Sequence, residues 1–123
     1  MSGTDENDWI STTQIYGVSF DSNNNGMYIA ADSGKIGYYN KSQNITYDLS
    51  STDTGNWLGT TTLRGISFDT RYNGASLVGL SGVLGYYNKS DNTTYNLSGT
   101  DPGDWVSTNN VFGISFDSIN DGA

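Results

Sequence analysis

The sequence predicts an all-β chain made of repeated four-stranded antiparallel units. Three observations carry this: a 48-residue period, turn residues at fixed places within each period, and the lack of any helical pattern. The period is clearest at Trp9, Trp57 and Trp105, spaced by 48 and 48. Thr4-Asp5 returns as Thr52-Asp53 and Thr100-Asp101. Gly17-Val18-Ser19-Phe20-Asp21 returns as Gly65-Ile66-Ser67-Phe68-Asp69 and as Gly113-Ile114-Ser115-Phe116-Asp117. Residues 4–51 and 52–99 align without a gap, with 24 identities in 48 positions. A period of this length signals stacked or ring-forming supersecondary units.

Turn chemistry divides each repeat. Asn73-Gly74 follows an alternating stretch and predicts a type I′ hairpin, whose two central residues need positive φ. Asn25-Gly26 and Asp121-Gly122 hold the same place. Ser33-Gly34 and Ser81-Gly82 mark a second turn, and Lys41 to Asn44 and Lys89 to Asn92 a third. The strands of the second copy are predicted near 62–69, 75–81, 83–88 and 93–98. A longer polar loop, Ser50 to Asn56 and Ser98 to Asp104, joins one repeat to the next. The chain then divides into an entry loop (1–13), a first repeat (14–61), a second (62–109) and the first strand of a truncated third (110–123). Both ends read as cuts through a longer array.

The first strand predicts how the units pack. In Leu63-Arg64-Gly65-Ile66-Ser67-Phe68, one face carries Leu63, Gly65 and Ser67, and the other Arg64, Ile66 and Phe68. A small face beside a bulky one suits a sheet packed against neighbours on both sides. Blades of a β-propeller meet that condition. A β-trefoil uses three four-stranded repeats of similar length and is the next reading; a stacked β-solenoid is the third.

Composition narrows function by exclusion. Hydrophobic content is only 34%, yet nine Tyr, three Trp and four Phe recur at fixed positions, which disordered chains do not show. The formal charge is −8 with five basic residues, so no clustered cationic surface for nucleic acid exists. No run is long enough to span a bilayer, and the polar, acidic start has no signal-peptide core. The chain has no Cys and no His, which removes Ser-His-Asp and Cys-His nucleophiles and ordinary zinc or copper sites. Neither a metal nor another cofactor is expected. Five Asn-X-Ser/Thr sequons, at Asn40, Asn44, Asn88, Asn92 and Asn96, would suit an extracellular or surface protein.

The chain resembles β-propeller families at these residues. Gly-Ile-Ser-Phe-Asp, the Asn-Gly hairpin, Val78-Gly79-Leu80-Ser81-Gly82 and Thr100-Asp101-Pro102-Gly103-Asp104-Trp105 look like sialidase-type Asp-box repeats and their photosystem-assembly relatives. Those carry a Ser/Thr-x-Asp-x-Gly-x-Thr-Trp turn. Here the Asp-to-Trp spacing is shorter, and Asn56 or Asp104 replaces the Thr before Trp. The period, the Phe-Asp-x-x-x-Asn-Gly hairpin and the Thr-Asp-x-x-x-Trp loop are also similar to tachylectin-type lectins. The resemblance covers the whole chain and implies four-stranded antiparallel blades of a β-propeller.

Propellers have at least four blades, so two blades do not close a ring alone. Residues 100–123 repeat the half that residues 4–27 already supply. The expectation is therefore a homo-oligomer of three or four chains, or an open head-to-tail array.

Several candidate sites follow. The loop Asp53, Asn56, Trp57 and its copy Asp101, Asp104, Trp105 has a structural reading, with Asp capping a turn and Trp packing between blades. Its functional reading is a sugar site, with Trp stacking on a pyranose and Asp or Asn binding hydroxyls. Tyr38-Tyr39 and Tyr86-Tyr87 place rings on both faces of one strand; Tyr39 and Tyr87 are candidates to line a ligand groove. Asp21-Ser22-Asn23-Asn24-Asn25-Gly26 starts like a calcium loop, but Arg71 and Ile119 spoil position 3 in the copies, so a hairpin turn is expected. Sialidase-type enzymes clamp a carboxylate with three arginines from different blades. This chain has only Arg64 and Arg71, both in one repeat, and Glu6 is its single glutamate, so no enzyme is expected. The function predicted is a non-catalytic, lectin-like binding module assembled from several chains. The alternative is a structural or assembly protein, or an excised or engineered propeller fragment without a ligand.

Overall fold

A computed structural model describes residues 4–100, 102–104, 106–120 and 122–123. It is all-β, with two four-stranded antiparallel sheets and short 3-10 turns at Glu6–Asp8 and Ser50–Thr52. The first sheet is β1 (Ile15–Asp21), β2 (Gly26–Ala31), β3 (Ile36–Asn40) and β4 (Ile45–Asp48). The second is β5 (Leu63–Asp69), β6 (Gly74–Gly79), β7 (Leu84–Asn88) and β8 (Thr93–Asn96). Each sheet is a meander in sequence order, as two blades would be. No helix is long and apolar enough to cross a membrane among the described residues.

The Asn-Gly turn differs from its expected form. Asp21 pairs with Gly26 and Asp69 with Gly74, so each loop holds four residues instead of two. Asn25 (φ 52°) and Asn73 (φ 55°) take the left-handed conformation, while the glycines begin the next strand. Packing explains those glycines: a Cβ on Gly26 would collide with the Tyr38 hydroxyl, and one on Gly74 with Tyr86. The two-residue turn with both φ positive lies instead at Ser33-Gly34 (58°, 68°) and Ser81-Gly82 (57°, 73°).

The two sheets pack face to face. By strand register, Ile66 and Phe68 share one face with Ala75, Leu77, Gly85 and Tyr87. That face meets Tyr28, Ala30, Ile36 and Tyr38 of the first sheet in one buried cluster. Tyr28 is the wedge: its ring centroid lies 4.8 Å from Tyr38, 5.9 Å from Phe68 and 5.8 Å from Tyr87. Ala75 lies between Phe68 and Tyr87 in register and leaves room for that ring. The paired tyrosines divide accordingly. Tyr38 and Tyr87 are buried in this interface, whereas Tyr39 and Tyr86 point to the outer faces and are half-buried.

The innermost strands approach most closely. A Cβ on Gly17 would lie 3.3 Å from Gly65 Cα, so the small residues predicted for this strand are required by contact. The Phe68 amide donates to Ser19 Oγ at 2.8 Å. Arg64, set by the same register, lies with its guanidinium 3.9 Å from the Tyr16 ring centroid and 5.8 Å from that of Phe112.

The third copy repeats these contacts without a sheet of its own. A Cβ on Gly65 would lie 3.2 Å from Gly113 Cα, and the Phe116 amide donates to Ser67 Oγ at 2.8 Å. Asp117 bridges Gly122 as Asp21 pairs with Gly26. Residues 111–117 thus hold the place beside β5 that β5 holds beside β1. They enter no strand ladder among the described residues, so the segment expected as a first strand is seated but unpaired.

Candidate functional site

The Trp loop is built as a clasp. Asp53 is buried, and its carboxylate accepts the Leu58 amide at 2.9 Å. Its backbone forms a parallel bridge with Thr94 of β8, as Asp5 does with Thr46 of β4. Thr52 Oγ1 lies 2.7 Å from Thr94 Oγ1, and Thr4 Oγ1 2.9 Å from Thr46 Oγ1. Trp57 closes the clasp by donating its indole N–H to the Thr94 carbonyl at 3.1 Å; Trp9 does the same to Thr46 at 3.2 Å. One indole covers Gly85 of β7 and the other Gly37 of β3, positions where a Cβ would strike the ring. The loop therefore seals the outer edge strand of the sheet that follows it, which blunts an edge that would otherwise pair with another chain.

These bonds commit Asp53 Oδ2 and the Trp57 indole N–H to the loop itself. Asn56 is exposed in a left-handed conformation (φ 54°), and its backbone N–H donates to the Asp53 carbonyl. Asp104 is exposed in the third copy, and Asp101 and Trp105 lie outside the described residues. Tyr39 donates its hydroxyl to Asn44 on the outer face of the first sheet, away from Tyr87.

A different set of residues converges between the two sheets. At the outer rim, β3, β4 and their hairpin face β7 and the β7–β8 hairpin across a groove of about 430 Å³. Tyr38, Asn40, Gln43 and Tyr47 come from the first sheet, and Tyr87, Lys89 and Asn92 from the second. Gln43 Oε1 accepts both the Tyr47 hydroxyl at 2.5 Å and the Asn40 amide at 3.0 Å. Across the groove the Tyr87 hydroxyl donates to Asn92 Oδ1 at 2.9 Å. Lys89 Nζ lies 4.0 Å from the Tyr38 ring centroid and 3.5 Å from Asp21 Oδ2. Burial, ahead of the nearby Asp91 charge, raises the Tyr87 pKa. Burial also raises that of Tyr38, ahead of its hydrogen bond to Asp21. Both phenols therefore stay neutral donors around pH 7.

Of the sequence candidates among the described residues, Tyr87 alone lines this groove. Asn40, Gln43, Tyr47, Lys89 and Asn92 were missed. The Tyr-Tyr-Asn-Lys repeat signals two of them, since Asn40 and Lys89 belong to its two copies. Gln43 has no repeat to flag it, because its counterpart is Asp91.

Asp21 is committed to its own hairpin. Its Oδ1 accepts the amides of Asn23 and Asn24, each at 3.0 Å, and its Oδ2 accepts the Asn24 side chain at 2.9 Å and the Tyr38 hydroxyl at 3.0 Å. Burial by itself would raise its pKa; the bonds from Asn24 and Tyr38, helped by Lys89, outweigh it and hold the carboxyl below its ordinary value. No protein-family model matches this chain, and no curated protein matches it in sequence.

Proposed function

We propose that this chain is a non-catalytic, lectin-like module of β-propeller type that acts as an assembly of several copies and takes a neutral carbohydrate in the groove between blades. The groove carries the reading. Its volume suits a small ligand, and it combines tyrosine rings with the amides of Asn40, Gln43 and Asn92. Aromatic faces stack on the apolar side of a pyranose, while amides and phenols exchange hydrogen bonds with its hydroxyls. The chain's formal charge of −8 disfavours an anionic ligand. Asp53 and Trp57, committed to the clasp, support the sheet edge and leave recognition to the groove.

An array of neutral glycans tests this. The full chain should bind a subset of them. Tyr47→Ala combined with Gln43→Ala should abolish that binding, while Asn56→Ala on the exposed loop should keep it. A chain whose assembly has been established by light scattering and which binds no glycan would overturn the carbohydrate reading. The structural alternative is favoured by one observation, the open apolar face of the first sheet at Val18 and Phe20.

A further inference from the structure

The two end faces of the stack correspond to the two halves of its internal interface, one open and the other covered in part by residues 111–117. In β5, Ile66 and Phe68 are each 6% exposed; their counterparts in β1, Val18 and Phe20, are 56% and 62% exposed. At the other end, a hollow of about 460 Å³ lies on the outer face of the second sheet, lined by Ser76, Leu84 and Tyr86 and only partly filled by Ile114 and Phe116 of the third copy. Ser76 stands where the first sheet has Tyr28, the wedge of the internal interface. Met27 stands where the second sheet has Ala75, the residue beneath that wedge. The large residue has changed sides: Tyr28 meets Ala75 inside, and the open faces offer Ser76 and Met27. The hollow left by Ser76 is thus matched by a longer side chain on the face that the repeat would bring against it.

We propose that a second copy of this chain docks head to tail, its first sheet covering the outer face of the second sheet, with its β1 displacing residues 111–117. This rests on the assembly part of the function proposed above and names its interface. Displacement follows from the duplicated positions. The same Gly65 contact and the same Ser67 acceptor that hold Gly113 and Phe116 would hold Gly17 and Phe20 of the incoming copy. The incoming β1 arrives with its hairpin partner β2 already paired, whereas residues 111–117 bring no ladder. The hydrogen bonds given up include the Val111 amide to the Gly79 carbonyl, the Gly82 amide to the Asn109 carbonyl, the Ser81 amide to Asn110 and the Phe116 amide to Ser67. Residues 111–117 then act as a placeholder that covers the crowded inner strand until a copy arrives.

The native chain has no cysteine, so single-thiol variants report the interface cleanly. Within one chain the side chains of Asp32 and Thr62 hydrogen-bond across the two sheets. One repeat onward, Leu80 of one copy should meet Gln14 of the next. A mixture of Leu80→Cys and Gln14→Cys chains should form a mixed disulfide under mild oxidation, and neither variant alone should cross-link. A disulfide between two Leu80→Cys chains would show a two-fold contact and overturn the proposal. Assembly with no cross-link in any sample would also overturn it, while leaving the assembly reading standing. A monomeric mass of 13.3 kDa by light scattering, across the micromolar range, would remove both. Phe116→Pro deletes the amide that binds Ser67 and loosens the placeholder. It should tighten association roughly tenfold; weaker association would mean that residues 111–117 belong to the interface, against displacement.

Discussion

Replacing Tyr28 with Phe should make the protein more stable. Tyr28 is fully buried, and its ring fills the space between Tyr38, Phe68 and Tyr87. Its hydroxyl has no hydrogen-bond partner among the described residues. Burial, ahead of the nearby Asp21 charge, raises its pKa, so the group stays a neutral hydroxyl that folding strips of water. A buried, unpaired polar group costs about 1–3 kcal/mol. Phe keeps the ring and removes that cost, so a gain of about 1 kcal/mol is expected, or roughly 4 °C in Tm for a chain of this size. Replacement by Ser, the residue at the same place in the second repeat, loses the ring as well and should cost about 3–5 kcal/mol. Urea unfolding followed by tryptophan fluorescence, at a protein concentration where the mass is known, measures both. If Phe lowers stability by more than about 0.5 kcal/mol, the hydroxyl is hydrogen-bonded and the reasoning fails.

Other perturbations probe the remaining contacts. Gly85→Ala places a methyl 2.5 Å from the Trp57 ring and should cost about 1–3 kcal/mol, with a red shift of tryptophan emission as the indole lifts. Asp53→Ala leaves the buried Leu58 amide unpaired and should cost about 1–3 kcal/mol by urea unfolding, with glycan binding retained in the folded fraction. The Asp21 pKa is held below its ordinary 3.8 in the folded protein. Its contribution to stability is therefore full above that value and disappears as pH falls through the folded one. Stability should drop as the pH falls below the ordinary aspartate value of 3.8, and Asp21→Asn should flatten that part of the profile. An unchanged slope would mean that Asp21 is not the responsible carboxylate.

Local signals in the sequence carried the strands well and the groove poorly. Gly65, Ser67, Ile66 and Phe68 announce a strand squeezed on one side and buried on the other, because the same contacts recur between every pair of neighbouring repeats and so fix the same residue types in each copy. The Asn-Gly pair marked the right hairpin with the wrong geometry. Its glycine answers to Tyr38 twelve residues away, which turn propensity does not report. Asp53 and Trp57 look like ligand residues because sugar sites and turn clasps draw on the same chemistry; the bonds to Leu58 and Thr94 show the clasp. The groove was invisible for a different reason. Its walls, Tyr47 on one sheet and Asn92 on the other, lie 45 positions apart and meet only once the two sheets stack.

The exchange of sizes between Tyr28 and Ala75 on one side, and Ser76 and Met27 on the other, has a consequence for fidelity. A chain of near-copies offers four ways for one sheet face to meet another. Two match large with small: Tyr28 over Ala75, and Met27 over Ser76. The other two set Tyr28 against Met27, which overfills the space, or Ser76 against Ala75, which leaves a void, and both faults destabilise. Four residues therefore form a two-letter code. It favours stacks in which first and second sheets alternate, and it disfavours a first sheet laid on a first sheet or a second on a second.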